Sequence, residues 1–199
     1  MHISEGILGG PVLLTGAVLS MSGIVYGLYK LDHDQVPKVA IVSAALFVAS
    51  LIHIPLGPAN VHLILNGIAG LLLGWTVFPA YLVVLVLHAM LFQFGGLTVL
   101  GVNTFNLALP AVLCYYFFKP LVRRTERKSV LFGAGVVIGF FSIGLSIFCL
   151  GLSLYSTGPE FLGVAGIIAF SHLPVMVVEG AITGSVIVFL HQVRPDILG

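Results

Sequence analysis

Along the chain, long apolar runs alternate with short breaks made of glycine, proline and charge. The runs lie near 11–29, 39–55, 61–74, 79–94, 107–118, 130–156 and 163–190, and a helix needs about 20 apolar residues to cross the hydrocarbon core of a bilayer. Seven candidate spans follow, of which the third and fifth are short for a full crossing. The segment 95–106, GGLTVLGVNTFN, is rich in glycine and amides yet carries no charge. Irregular backbone at membrane depth must be paired by protein or by a wet cavity, so this segment reads as a re-entrant loop held inside the bundle. The expected fold is all-α, a polytopic membrane protein of about seven transmembrane helices forming a single domain over 1–199.

Composition sharpens this picture. Residues of the AVILMFWYC set make up 59% of the chain and DEKR only 8%, against roughly 45–50% and 25% in soluble domains, and the mean hydropathy is +1.16. That is too little charge to cover a water-facing surface, and a soluble fold is excluded. The net charge of +1 and the single dense basic run, Lys119 to Lys128, give no nucleic-acid footprint. With seven spans, Lys30, Lys38, Lys119, Arg123, Arg124, Arg127, Lys128 and Arg194 all fall on one side. The positive-inside rule makes that side cytoplasmic and places the N-terminus outside a plasma or inner membrane. The N-terminus has no positively charged leader before its first apolar run, so Met1 and His2 are expected to persist.

Four Gly-x-x-x-Gly pairs lie within spans, Gly23/Gly27, Gly70/Gly74, Gly135/Gly139 and Gly180/Gly184. Small residues four apart let helix backbones approach closely, whether within the chain or against a partner subunit. Cys114 and Cys149 lack any metal-ligand spacing and read as buried thiols. No phosphate-binding loop, zinc-protease motif or nucleophile elbow is present, so neither ATP hydrolysis nor other enzymatic chemistry is expected of this chain.

Seven histidines are many for so apolar a sequence, and imidazole suits Ni, Cu, Zn and Fe. His2 follows the terminus. The Met1 amine, the His2 amide nitrogen and the His2 imidazole can close fused chelate rings around one ion and leave a fourth in-plane position, a geometry that suits Ni(II) or Cu(II). Glu179 is the one acid well inside a span, seven residues beyond His172 and nearly on the same helix face, with Pro174 between to bend the helix. It reads either as a hydrogen-bonded lock on the bundle or as an acceptor behind a metal ligand. Asn60, Asn66, Asn103 and Asn106 add neutral amides that can pair loop backbone or orient ligands.

Four segments then carry a resemblance: MHISEG at 1–6, VHLILNG at 61–67, FQFGGLTVLGVNTFN at 92–106, and His-Leu-Pro-x4-Glu-Gly at 172–180. Together they resemble the NikM/CbiM family, the substrate-capture subunits of nickel and cobalt transporters of the energy-coupling-factor type. The resemblance implies a seven-helix protein whose N-terminus folds into the bundle. It implies that Met1 and His2 bind the ion and that His62 supplies the fourth nitrogen. It further implies that the 95–106 loop encloses the N-terminal segment, with Asn103, Asn106, His172 and Glu179 surrounding the site. His88 stands where the family more often shows Gln, and His53 has no clear counterpart. The implied substrate is Ni(II), with Co(II) as the alternative, and this chain would bind no nucleotide. The implied partners are a transmembrane coupling subunit, two cytoplasmic ATPases and a small accessory membrane protein. A scaffold whose histidines only pack is the alternative from another class.

Overall fold

The computed structural model describes residues 3–56 and 59–198, and the side chains of all of these except 53–56 and 59–61. Helix α1 covers Gly10–Tyr29, opened by Pro11, whose fixed φ and missing N–H suit a first turn. Helix α2, Val36–Ser50, starts likewise at Pro37. A two-stranded antiparallel hairpin follows, β1 His53–Leu56 and β2 Ala59–His62, in a register that sets His53 opposite His62. Then come α3 Asn66–Leu73, α4 Val77–Phe92, α5 Leu100–Arg124, α6 Lys128–Tyr155, α7 Leu162–Ser171, α8 Leu173–Val193 and the short α9 Pro195–Leu198. The all-α expectation holds apart from the hairpin.

Among the described residues five stretches are long and apolar enough to cross a membrane: Gly10–Tyr29, Asn66–Phe92, Leu100–Arg124, Lys128–Tyr155 and Leu173–Val193. The second of these doubles back. Tyr81 Oη donates to Asn66 Oδ1 at 2.8 Å, whereas fifteen residues of straight helix would separate them by about 22 Å. The reversal falls at Gly74, whose φ of 56° is a left-handed value that a glycine adopts without strain. The seven expected spans are therefore not seven long helices. Helix α2 has 15 residues, α3 has 8 and α7 has 10.

Two boundaries differ from the sequence reading, while the bend expected near Pro174 is present. The run 39–55 is helical only to Ser50, because its last residues enter the hairpin. The re-entrant loop expected at 95–106 is confined to 93–99, and helix α5 begins at Leu100. Gly101 does not break that helix but lets it close on α1, since a Cβ there would stand 2.5 Å from the Ala17 Cα. The last run bends at His172. Pro174 has no N–H to return to the preceding turn, while the backbone hydrogen bonds His172 N–H to Ile168 O and Met176 N–H to His172 O carry the helix across the bend.

Packing between helices rests on small residues. A Cβ at Gly139 would lie 2.6 Å from the Gly180 Cα, and one at Gly135 would lie 2.3 Å from the Gly184 Cα, so α6 and α8 touch backbone to backbone. Gly23 faces Phe78, Gly27 faces Trp75, Gly70 faces the Ala111 carbonyl and Gly74 faces Tyr115. All four Gly-x-x-x-Gly pairs are thus occupied by contacts within the chain. Both thiols are free, and Cys114 and Cys149 are buried.

Candidate functional site

The N-terminal arm is stitched into the bundle through its backbone. Ile3 N–H donates to Asn103 Oδ1 and Asn103 Nδ2 donates to Ile3 O, both at 3.0 Å. A primary amide has one donor and one acceptor edge in the same plane, so Asn103 pairs with Ile3 much as a neighbouring strand would. Farther along the arm, Glu5 N–H donates to Gly95 O at 3.1 Å and Thr98 N–H donates to Glu5 Oε1 at 2.9 Å. The Thr98 N–H holds the Glu5 carboxyl below its ordinary range. Gly96 takes φ 132°, and a Cβ there would collide with the Glu5 side chain. Ile3 and Leu8 are buried, so the arm also contributes to the core. The loop expected to enclose the N-terminal segment does so through 95–98, and Asn103 acts from the first turns of α5. Met1 and His2 lie outside the described residues.

His62 ends strand β2 and is buried. Its Nδ1 donates to the Leu63 carbonyl at 2.9 Å. A carbonyl only accepts, so this contact places a proton on Nδ1; in the neutral ring Nε2 then carries the lone pair, the tautomer a metal ligand requires. A small cavity is lined by His62, Ser50, Tyr81, His88 and Leu107 among others. Leu107 lies one turn beyond Asn103 on the same face of α5. The anchored arm and His62 therefore meet the same stretch of α5.

The turn that follows His62 is held from three helices. Glu179 is fully buried on α8, and its Oε1 accepts the N–H of both Ile64 and Leu65. The Leu65–Glu179 distances are 2.8 Å to Oε1 and 3.0 Å to Oε2. Leu65 has φ 54°, a left-handed value that costs a branched side chain energy unless its surroundings impose it. Tyr81 of α4 adds a hydrogen bond to Ile64 O at 3.2 Å, and Asn66 Nδ2 donates to Ser146 Oγ of α6 at 2.8 Å. The carboxyl group thus pins the turn that leads into α3, holding the N–H groups of the two residues just before Asn66.

The other residues singled out in the sequence fall as follows. His172 is buried at the bend, its Nδ1 donating to Ile168 O at 2.7 Å, and its Nε2 has no hydrogen-bond partner among the described residues. Asn106 ties α5 to α6 through Ser153 at 3.3 Å. His88 lies 2.7 Å from Ser50 Oγ through its Nε2 and stacks on Phe47 with ring centroids 4.9 Å apart. Among the described residues no three His, Cys, Asp or Glu side chains converge on one point. Sequence reasoning did not single out Tyr81, Ser50 or Ser146, because a lone hydroxyl in an apolar helix gives no signal before its partner is known.

The family model for the cobalt uptake substrate-specific transmembrane region, CbiM, matches residues 2–197. A Haemophilus influenzae protein named for metal transport is 44% identical, covering 100% of this chain and 97% of its own length. A fused nickel transport protein, NikMN, of Archaeoglobus fulgidus is 29% identical over 100% of this chain and 68% of its own length. The cobalt transport protein CbiM of Sorangium cellulosum is 29% identical over 100% of this chain and 94% of its own length. Among solved structures, a truncated transition metal transporter superposes with a TM-score of 0.81 at 26% identity, over 96% of this chain and 99% of that one. Helices of membrane-crossing length, an arm bound into the bundle and a match over nearly the whole sequence agree, and the chain belongs to the CbiM family of substrate-specific transmembrane components for metal uptake.

Proposed function

We propose that this protein is the capture subunit of an energy-coupling-factor type importer and that it takes up Ni(II). The observation that carries the reading is the reciprocal pairing of Asn103 with the Ile3 backbone. It fixes the register of the arm one helical turn along α5 from the cavity that His62 lines. In this reading the Met1 amine, the His2 amide nitrogen, the His2 imidazole and His62 Nε2 form a planar set of four nitrogens. Such a set suits Ni(II), and the Irving–Williams order places Ni(II) above Co(II). Asn103 and Glu179 hold the two halves of the site, while Asn106 and His172 stand behind them. The cobalt-named relatives and the family description favour Co(II) as the second reading.

The remaining assignments follow from the same reading. The single domain 1–199 sits in the plasma or inner membrane with its N-terminus outside and its eight cations in the cytoplasm. A coupling subunit and two ATPases supply the energy, since no phosphate-binding loop exists in this sequence, and a small accessory membrane protein assists. Elemental analysis of the purified chain tests the function. Expected is one nickel per chain, lost on N-terminal acetylation or tagging and on His62→Ala, and retained in His33→Ala and His191→Ala. A metal-free wild-type chain would leave the scaffold reading in its place.

A further inference from the structure

At the end of the bundle opposite the arm, α5 builds a groove of about 310 Å³ lined by Tyr115, Tyr116, Lys119, Pro120, Arg123 and Arg124. The lining forms two helical rows. Tyr115, Lys119 and Arg123 are spaced four apart, and Tyr116, Pro120 and Arg124 run alongside them. Lys38, at the start of α2, adds a further positive charge acting on Lys119. Among the described residues the one ion pair joins Arg194 to Asp196, so no acid among them pairs with a groove cation. Charges on Arg123 and Arg124 also suit the carbonyl end of a helix. Lys119, a turn earlier and 4.6 Å from the centre of the Tyr115 ring, is not required for that.

The surroundings identify the level of this groove. Trp75 Nε1 donates to Tyr116 Oη at 2.8 Å, Trp75 meets Tyr26 edge-on at 4.7 Å, and Lys30 lies over both Tyr26 and Tyr29. Tyr, Trp and Lys gathered at one height of an apolar bundle mark the membrane–water interface, and Phe117, exposed at 64%, and Leu121 lie on the same helix facing outward. A ligand here meets cations and phenolic hydroxyls at one end and apolar surface at the other. We propose that the groove binds the phosphodiester headgroup of an anionic membrane lipid, phosphatidylglycerol or cardiolipin. Lys119, Arg123 and Arg124 engage the phosphate, and the acyl chains lie along the outer face of α5. Basic pockets beside transmembrane helices recognise such headgroups by this chemistry.

The test uses the full chain extracted in mild detergent. Native mass spectrometry counts retained lipid, and thermal unfolding is followed on addition of cardiolipin or phosphatidylcholine. Expected is retention of anionic over zwitterionic lipid and a rise in unfolding temperature with cardiolipin alone. The double variant Lys119→Gln/Arg123→Gln is expected to retain about tenfold less anionic lipid. Arg127→Gln/Lys128→Gln removes the same charge outside the groove and is expected to behave as wild type. Because Lys119 packs on Tyr115, the single variant Arg123→Gln serves as a milder probe that leaves this contact intact. Equal losses in the two double variants would overturn the proposal, as would equal stabilisation by millimolar inorganic phosphate. So would groove variants that keep their lipid but lose association with a partner membrane subunit, which would make the groove a protein-docking face.

Discussion

Glu179 and Leu65, 114 residues apart, are joined by a carboxylate that accepts the Leu65 N–H at 2.8 Å while the same oxygen accepts from Ile64. Replacing Glu179 with Gln keeps size and one acceptor but turns an amide NH2 toward backbone donors. A hydrogen bond contributes about 0.5–1.5 kcal/mol net, and an orphaned buried donor costs about 1–3 kcal/mol. Glu179→Gln is therefore expected to lower stability by about 2 kcal/mol. It is also expected to weaken metal binding roughly tenfold, because it loosens the turn that presents His62. Unfolding midpoints and a nickel titration measure the two effects separately. Unchanged affinity in a destabilised variant would confine Glu179 to a packing role.

Asn103→Ala removes both hydrogen bonds to Ile3 and leaves two buried main-chain groups unpaired, at about 1–3 kcal/mol each. Asn103→Asp keeps the acceptor and loses the donor, so it should rescue only part of the loss. Hydrogen exchange at the Ile3 and Glu5 amides is the direct readout. Faster exchange at both in the alanine variant is expected, with slowed metal capture. Unchanged protection of Ile3 would show that burial alone holds the arm.

The Glu5–Thr98 contact has a defined pH dependence. Its N–H donor lowers the Glu5 carboxyl below the ordinary value of 4.5. A depressed carboxyl contributes stability that is fully present above the unfolded-state value and is lost as pH falls through the folded one. Exchange protection of the Thr98 amide should hold from neutral pH down to about the ordinary glutamate range and then fall. In Glu5→Gln the protection should be lower throughout and no longer change with acid over this interval.

The seam between α6 and α8 gives a packing test. Gly139→Ala places a methyl group against the Gly180 backbone, which cannot yield as a side chain would. An overpacking cost of about 1–3 kcal/mol is expected. Gly133→Ala and Gly163→Ala, where nothing stands within 4 Å, should leave the unfolding midpoint unchanged or raise it, since alanine favours a helix. Equal behaviour of all three variants would contradict the close approach of the two helices.

Much of this architecture was legible in the sequence because lipid imposes a simple code. Runs at 11–29, 130–156 and 163–190 became α1, α6 and the bent α7–α8 pair, since only apolar helices satisfy their backbone in hydrocarbon. The hairpin at 53–62 was not legible. Its prolines argue against paired strands, and its apolar residues continue the pattern of the helix before it. The start of α5 was misread because Gly101, Asn103 and Asn106 favour loops in water, whereas here the glycine admits α1 and the amides serve as side-chain ties. His62 and Glu179 stood out as ionisable groups among apolar neighbours. Which backbone the carboxylate holds depends on tertiary contact across 114 residues, and no local pattern encodes that.

Both hydrogen bonds from Asn103 to Ile3 go to main-chain atoms. The hydrogen bonding, as distinct from the burial of Ile3, is therefore indifferent to the kind of side chain at that position and sensitive to counting. The anchor works as a ruler. Whatever lies ahead of Ile3 is delivered at a fixed contour length, with each residue adding at most about 3.5 Å. A residue inserted before Ile3 would leave the anchor intact and carry the leading end past its destination by one such step. A residue inserted between Ile3 and Glu5 would set the Asn103 and Gly95 attachments against each other, so that only one could form. Substitution and insertion in this arm are thus separate kinds of change: the pairing with Asn103 does not read the side chain at position 3, whereas it registers a change in length.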